Sequence, residues 1–237
     1  MKYVRDTTGR FTQRPHYEPS ELDHECEQII SQFLTKKHGQ IRFPIATDDL
    51  TVLIEREVED LDLYADLSHE GTDVEGITYF YPKRKPKVRI CRRLSEDKKR
   101  ENRLRTTLTH EFGHAKFHNH VWQMDLAPQD LFSTTPSNAS PKCKRDNILN
   151  AAAKDWMEWQ AGYICGALLM PVKALHGFVS EFCRSNKVCT PLQIGSASAT
   201  ALESAIAEFF RVSEEAARVR LAKLRLLSQR DFGPSLL

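Results

Sequence analysis

Two histidines and a glutamate near the middle of the chain have the spacing of a metal site on a helix. Residues 109–114 read THEFGH, so His110 and His114 flank Glu111 in an HExxH pattern. Residues four apart lie one turn above each other on a helix, and the two imidazoles can therefore bind one metal ion. Glu111 lies one step around the helix, where it can reach a metal-held water, and we predict that it is the general base. Apolar residues at helical spacing surround the motif, at Leu104, Leu108, Phe112 and Ala115.

A third ligand is required, because catalytic zinc takes three protein ligands and keeps one position for water. Glu158 is the carboxylate in the middle of a mostly apolar helical stretch, residues 155–171, that Pro171 closes. A carboxylate buried on such a helix is costly unless it is neutralised, and a metal ion would neutralise it. Glu158 is therefore the predicted third ligand, with an ion pair to an arginine as the alternative. Asp155 is a weaker ligand candidate that is better placed to orient a histidine.

The two segments together resemble a known family. RTTLTHEFGHAKFH (residues 105–118) and EWQAGYICGALLMP (residues 158–171) are similar to the paired motifs of the ImmA/IrrE family of bacterial and phage zinc metallopeptidases. The resemblance implies a gluzincin-like site in which His110, His114 and Glu158 hold Zn²⁺ and Glu111 is the catalytic base. It also implies a substrate, a helix-turn-helix repressor of the Xre/CI type, whose cleavage derepresses genes of mobile elements or of a DNA-damage response.

Several residues near the motif remain open candidates. Tyr163, His118 and His120 are candidates for an oxyanion donor, and none is favoured. His118 is also an alternative ligand, because it follows His114 by one helical turn.

The loop between the two motifs is long, since His114 and Glu158 are 44 positions apart. Loops of that length often cover a site. Cys143, within this loop, is interpreted as an inert thiol. The alternative hypothesis is that it occupies the open metal position and holds the enzyme latent, which unchanged basal activity of Cys143→Ser would exclude.

Helices and strands that position these residues are segregated along the chain, which predicts an α+β fold. A first helix has Ser20 as its N-cap and Gly39 as its stop, and a second begins at Thr47. Alternating apolar residues predict a small antiparallel sheet of three strands. These strands lie at residues 61–65, 76–80 and 88–90.

We predict three parts in the chain. Residues 1–19 form a flexible arm, residues 20–171 a zincin-like metallopeptidase core, and residues 172–230 a C-terminal helical segment. Residues 205–224 resemble a helix-turn-helix, although packing on the core to help grip the substrate is the favoured interpretation. Direct DNA binding is the alternative and would use five basic residues, Arg211, Arg218, Arg220, Lys223 and Arg225.

Charge is nearly balanced, with 34 Lys+Arg against 32 Asp+Glu, but it is unevenly distributed. Residues 48–75 contain eleven acids and one base, whereas residues 83–105 contain twelve bases and three acids. The favoured interpretation is that these two segments attract one another. The alternative is that the basic segment binds an acidic or nucleic-acid-bound partner.

Composition narrows the class of protein further. No apolar run approaches the roughly 18 residues of a membrane span, and the N-terminal residues lack a signal-peptide pattern. The six cysteines have no CxxC spacing, and most are predicted to be reduced thiols. We expect a cytoplasmic protein without a membrane partner. The alternative to an enzyme is a catalytically silent adaptor or DNA-binding regulator in which zinc only joins two helices.

Overall fold

The computed structural model, which describes residues 1–81, 83–124, 142–144 and 155–229, contains helices and short strands. The strands are β1 (Lys2–Arg5), β2 (Gln13–His16), β3 (Asp60–Ala65), β4 (Val74–Tyr79), β5 (Lys87–Cys91), β6 (Lys142–Lys144), β7 (Leu192–Gln193) and β8 (Leu227–Ser228). The helices are α1 (Pro19–His38), α2 (Thr47–Glu55), α3 (Arg92–Ser95), α4 (Glu101–Phe117), α5 (Asn119–Met124), α6 (Trp156–Leu169), α7 (Val172–Asn186), α8 (Ala197–Phe210) and α9 (Glu214–Lys223). The predicted α+β class and the helical C-terminal part are confirmed.

The ends of α1 show how local sequence sets a helix boundary. The helix begins at Pro19, whose fixed φ suits the first helical turn, and Glu21 accepts a hydrogen bond from the backbone of Glu18. Ser20, the predicted N-cap, therefore lies inside the helix. Gly39 ends the helix with a φ of 72°, in the left-handed region that glycine adopts freely.

The central sheet differs from the prediction in its strand order. Its order is β3-β5-β4-β6, with β4 antiparallel to β5 and β6 but β3 parallel to β5. The prediction of three antiparallel strands is therefore wrong. The two-residue alternation defines which face of a strand is buried, but it is the same for parallel and antiparallel neighbours. Alternation alone did not reveal that β3 lies beside β5.

Residues 1–19, the predicted flexible arm, contain a strand pair. β1 and β2 are antiparallel, with Lys2 opposite His16 and Arg5 opposite Gln13. Phe11, between them, is buried with Trp122 and Trp156 in a small apolar cluster. The division of the chain into three parts at residues 19 and 171 stays a prediction.

The acidic and basic segments lie against each other. Residues 48–75 and 83–105 contribute neighbouring elements, and their side chains form several ion pairs across the sheet and the start of α4. These pairs are Glu59–Arg84, Asp60–Arg89, Glu75–Arg100 and Glu75–Arg103. The interpretation that the two segments attract one another is thus confirmed.

The C-terminal helices use part of the predicted DNA-binding set inside the protein. Ser213 caps α9 by accepting a hydrogen bond from the backbone of Ala216, as the sequence predicts. Arg220, in α9, is 1% exposed and donates to Asp23 of α1 at 2.6 Å. The ammonium of Lys223 lies 5.2 Å from the ring centroid of Tyr163. Two of the five basic residues are therefore engaged with the core.

Within the described parts of the chain, no single helix has both the length and the apolar character of a membrane span. Helices α6 and α7 meet these criteria only when taken together across a bend of 59°.

Candidate metal centre

The candidate site lies where α4 and α6 pack closely together. Gly113 of α4 makes this approach possible, because a Cβ added there would lie 3.1 Å from the Cα of Ala161. Both helices are mostly buried along their length. The HExxH segment therefore faces the helix that carries Glu158.

Three predicted ligands are brought together between these helices. His110 Nε2 lies 3.1 Å from Glu158 Oε2 and 3.1 Å from His114 Nε2, and His114 Nε2 lies 3.4 Å from Glu158 Oε1. Two ligand atoms bound to one tetrahedral zinc ion at about 2.0–2.1 Å are about 3.3–3.4 Å apart. The two imidazole nitrogens and the carboxylate thus have the chemistry and the spacing of a three-ligand zinc site.

Electrostatics couple these three groups. Burial alone would raise the pKa of Glu158, but the neighbouring His114 and the hydrogen bonds from both histidines hold it well below its usual range. Burial alone would lower the pKa of His114, yet the charge of Glu158 raises it. The site therefore favours an ionised carboxylate beside positive charge, which is the environment that a metal cation also supplies.

The two carboxylate oxygens of Glu111, the predicted base, have different surroundings. Oε2 accepts a hydrogen bond of 2.6 Å from the hydroxyl of Thr78 in β4. Oε1 is buried and has no hydrogen-bond partner among the described residues. Gly76 in β4 leaves room for it, since a Cβ there would lie 2.7 Å from Oε1. Burial raises the pKa of Glu111, against the lowering effect of the two histidines and Thr78.

A chain of polar groups extends behind His114, on the side away from Glu158. His114 Nδ1 lies 3.0 Å from His118 Nδ1, and His118 Nε2 lies 3.1 Å from Gln160 Oε1. Gln160 Nε2 donates at 3.0 Å to the backbone carbonyl of Pro15 in β2. His118 thus contacts the remote nitrogen of a predicted ligand and does not join the ligand group itself. Burial lowers the pKa of His118 well below its usual value.

Gln160 and Pro15 were missed by the sequence analysis. Gln160 had a detectable signal, because it is a polar residue two positions after Glu158 in an apolar helix. The carbonyl of Pro15 had none, since its position depends on how β2 packs.

Other candidates have partners outside the ligand group. The hydroxyl of Tyr163 donates to Asp23 at 2.8 Å, and His120 packs edge-on against Tyr3. Asp155, predicted to orient a histidine, forms an ion pair of 2.9 Å with Arg10. The role of Asp155 in orienting a histidine stays a prediction.

Cys143 lies in β6, where its backbone is opposite Gly76 of β4. Its side chain, on which the latency hypothesis depends, falls outside the described residues.

Two histidines lie one turn apart, a glutamate from a second helix faces them and a buried carboxylate lies beside them, which is the arrangement of the HExxH-type sites found in metallopeptidases. The sequence model of Peptidase M78, described as the IrrE N-terminal-like domain, matches residues 72–222. The chain belongs to this family of zinc metallopeptidases. The matched region extends from just before β4 into α9 and includes all four predicted site residues. Among curated proteins, none matches the chain significantly.

Proposed function

We propose that the protein is a zinc-dependent endopeptidase. His110, His114 and Glu158 hold the metal, and Glu111 is the general base. The observation that carries the proposal is the position of the three ligand atoms, 3.1–3.4 Å apart, next to a buried glutamate with one unpartnered oxygen among the described residues. A zinc ion there would supply a Lewis acid that polarises the scissile carbonyl and acidifies water.

The protein's own residues account for the proton movement. Glu111 Oε1 accepts a proton from the attacking water, while the hydrogen bond from Thr78 holds Oε2 in place. Glu111 then transfers that proton to the amine nitrogen of the leaving peptide. Burial raises the pKa of Glu111, which makes its carboxylate a stronger acceptor for the proton of the attacking water.

The proposed substrate is a helix-turn-helix repressor of the Xre/CI type. Support comes from the resemblance of the two motifs and from the membership of the chain in the IrrE-like family. The C-terminal helices α8 and α9 are proposed to help grip this substrate.

The experiment is incubation of the zinc-loaded protein with purified Xre/CI-type repressors, followed by mass spectrometry of the products. We expect one specific cleavage by the wild type and none by Glu111→Gln, which keeps the shape of the side chain but removes the base. Zinc content should be equal in both proteins. A zinc-loaded wild type that cleaves none of the repressors would favour the silent adaptor, and equal cleavage by Glu111→Gln would exclude Glu111 as the base.

A further inference from the structure

Each hydrogen bond in the polar chain behind His114 has a defined donor and acceptor. A backbone carbonyl at the end of the chain determines this order. The carbonyl of Pro15 lies 3.0 Å from the side-chain amide of Gln160. A carbonyl oxygen can only accept a hydrogen bond, so the NH₂ group of Gln160 must face it. The amide oxygen of Gln160 must therefore face His118.

The remaining hydrogen positions follow one after another. Because Gln160 presents an oxygen, His118 must donate from Nε2 across the 3.1 Å contact. The neutral ring of His118 then has a bare Nδ1, which accepts across the 3.0 Å contact with His114. His114 must accordingly carry a proton on Nδ1, and Nε2 is then the ring nitrogen that is left for a metal ion.

We infer that His118 and Gln160 are positioning residues that select the metal-binding tautomer of His114, with the β1–β2 segment as their anchor. This inference rests on the metal centre proposed above. Both side chains are buried, at 0% and 1% exposure, so water does not compete for these hydrogen bonds. The ring of Trp156 packs edge-on against His118 and holds its plane.

The two predicted histidine ligands differ in whether Nδ1, the nitrogen remote from the metal site, has a hydrogen-bond partner. His110 Nδ1 is buried without a hydrogen-bond partner in the described part of the chain, whereas His114 Nδ1 has one. A partner on the remote nitrogen fixes the tautomer and orientation of a ligating histidine and increases its basicity. Selection of the tautomer therefore applies to His114.

The first test uses the wild type alone. Long-range ¹H–¹⁵N correlation spectra separate protonated from bare histidine ring nitrogens, and they can be recorded before and after addition of Zn²⁺. In the zinc-bound protein we expect His114 to be protonated on Nδ1 and His118 on Nε2. A proton on His118 Nδ1, or a bare His114 Nδ1, in the zinc-bound protein would overturn the inference.

The second test compares two variants of nearly the same shape. His118→Asn keeps an acceptor near the position of Nδ1, while His118→Leu removes it. Zinc affinity, measured by competition with a chromophoric chelator, should fall about 10- to 100-fold in His118→Leu and be largely retained in His118→Asn. Gln160→Met should weaken binding in the same direction.

Tyr163→Phe is the matched control, because it removes a different buried hydrogen bond from α6, the helix that carries Gln160. It should leave zinc affinity unchanged. Equal losses in His118→Asn and His118→Leu would assign His118 a packing role and overturn the inference while leaving the metal centre intact. A folded wild type that binds no zinc would overturn both this inference and the proposed function.

Discussion

Among the described residues, Glu111 is held by a single hydrogen bond on one carboxylate oxygen, and that bond comes from the sheet. The hydroxyl of Thr78 donates to Oε2, and the second oxygen faces the space next to Gly76. A hydrogen bond to an ionised carboxylate stabilises it by about 1.5–3 kcal/mol. Thr78 therefore both orients the base and limits the rise of its pKa.

Substitution Thr78→Val tests this role. Loss of the hydroxyl removes an interaction that favours the charged form, so the pKa of Glu111 rises further. The acid limb of the pH–activity profile should then shift upward by roughly one to two pH units. Thr78→Ser keeps the hydroxyl and should retain the profile of the wild type; an unshifted limb in Thr78→Val would contradict the role of Thr78.

The residues of the candidate site differ in how well their roles can be predicted from the sequence. The HExxH spacing places two histidines on one helical face by geometry alone, and the apolar surroundings of Glu158 mark it as a carboxylate that needs a cation. Thr78 carries no such signal, because its contact with Glu111 spans 33 positions and depends on the position of β4 over α4. Gln160 is intermediate, since its polarity is visible in the sequence but its partners are not.

Helices α4 and α6 must keep a fixed separation for the three ligands to meet. Gly113 sets this separation, because an added Cβ would lie 3.1 Å from the Cα and 3.4 Å from the Cβ of Ala161. Backbone atoms cannot move aside as the end of a flexible side chain can. The contact therefore links the packing of two helices to the geometry of the metal centre.

Gly113→Ala should separate the helices, lower the melting temperature and weaken zinc binding together. Crowding of this kind in a packed core costs about 1–3 kcal/mol. Gly177→Ala is the matched control, since a Cβ at this position in α7 meets nothing within 4 Å. It should keep zinc affinity and gain up to about 1 kcal/mol from helix propensity. Thermal unfolding and chelator competition measure both effects, and unchanged zinc affinity in Gly113→Ala would contradict the link.

Element types were easier to predict than their arrangement. Helical periodicity and the Gly39 stop located α1 to within one or two residues, because these signals are local. The neighbour of β3 was not predictable in this way, since the choice between β4 and β5 depends on the connection through residues 66–73 and on which faces are covered. The side of the sheet that faces Glu111 became clear only from the positions of Gly76 and Thr78.

At the scale of the whole molecule, a buried ion pair connects α1 with α9, two helices that are far apart in the sequence. Asp23 of α1 accepts from Arg220 of α9 at 2.6 Å and from Tyr163 of α6 at 2.8 Å. Arg220 also donates to the backbone carbonyl of Met170 at 3.2 Å. Helices α1, α6 and α9 thus share one polar cluster.

Removal of one charge from this cluster should be costly. Asp23→Asn or Arg220→Met alone leaves a buried charge without its partner and should lower the free energy of unfolding by about 3–5 kcal/mol. The double variant should recover part of that loss. Arg184→Met breaks the Arg184–Glu181 ion pair, in which both side chains are exposed, and should change the free energy of unfolding far less. Urea denaturation compares the four variants with the wild type, and equal losses for Arg184→Met and Arg220→Met would contradict the role assigned to burial.

The most direct measurement of the central claim is the zinc content per chain, determined by elemental analysis without any knowledge of the substrate. The wild type is compared with His114→Ala, Glu158→Ala and the Tyr163→Phe control, each checked for folding by circular dichroism. We predict about one zinc ion per chain in the wild type and in Tyr163→Phe, and sharply less in the two ligand variants. A folded wild type without zinc, or full zinc content in folded Glu158→Ala, would contradict the three-ligand centre on which the proposed peptidase activity depends.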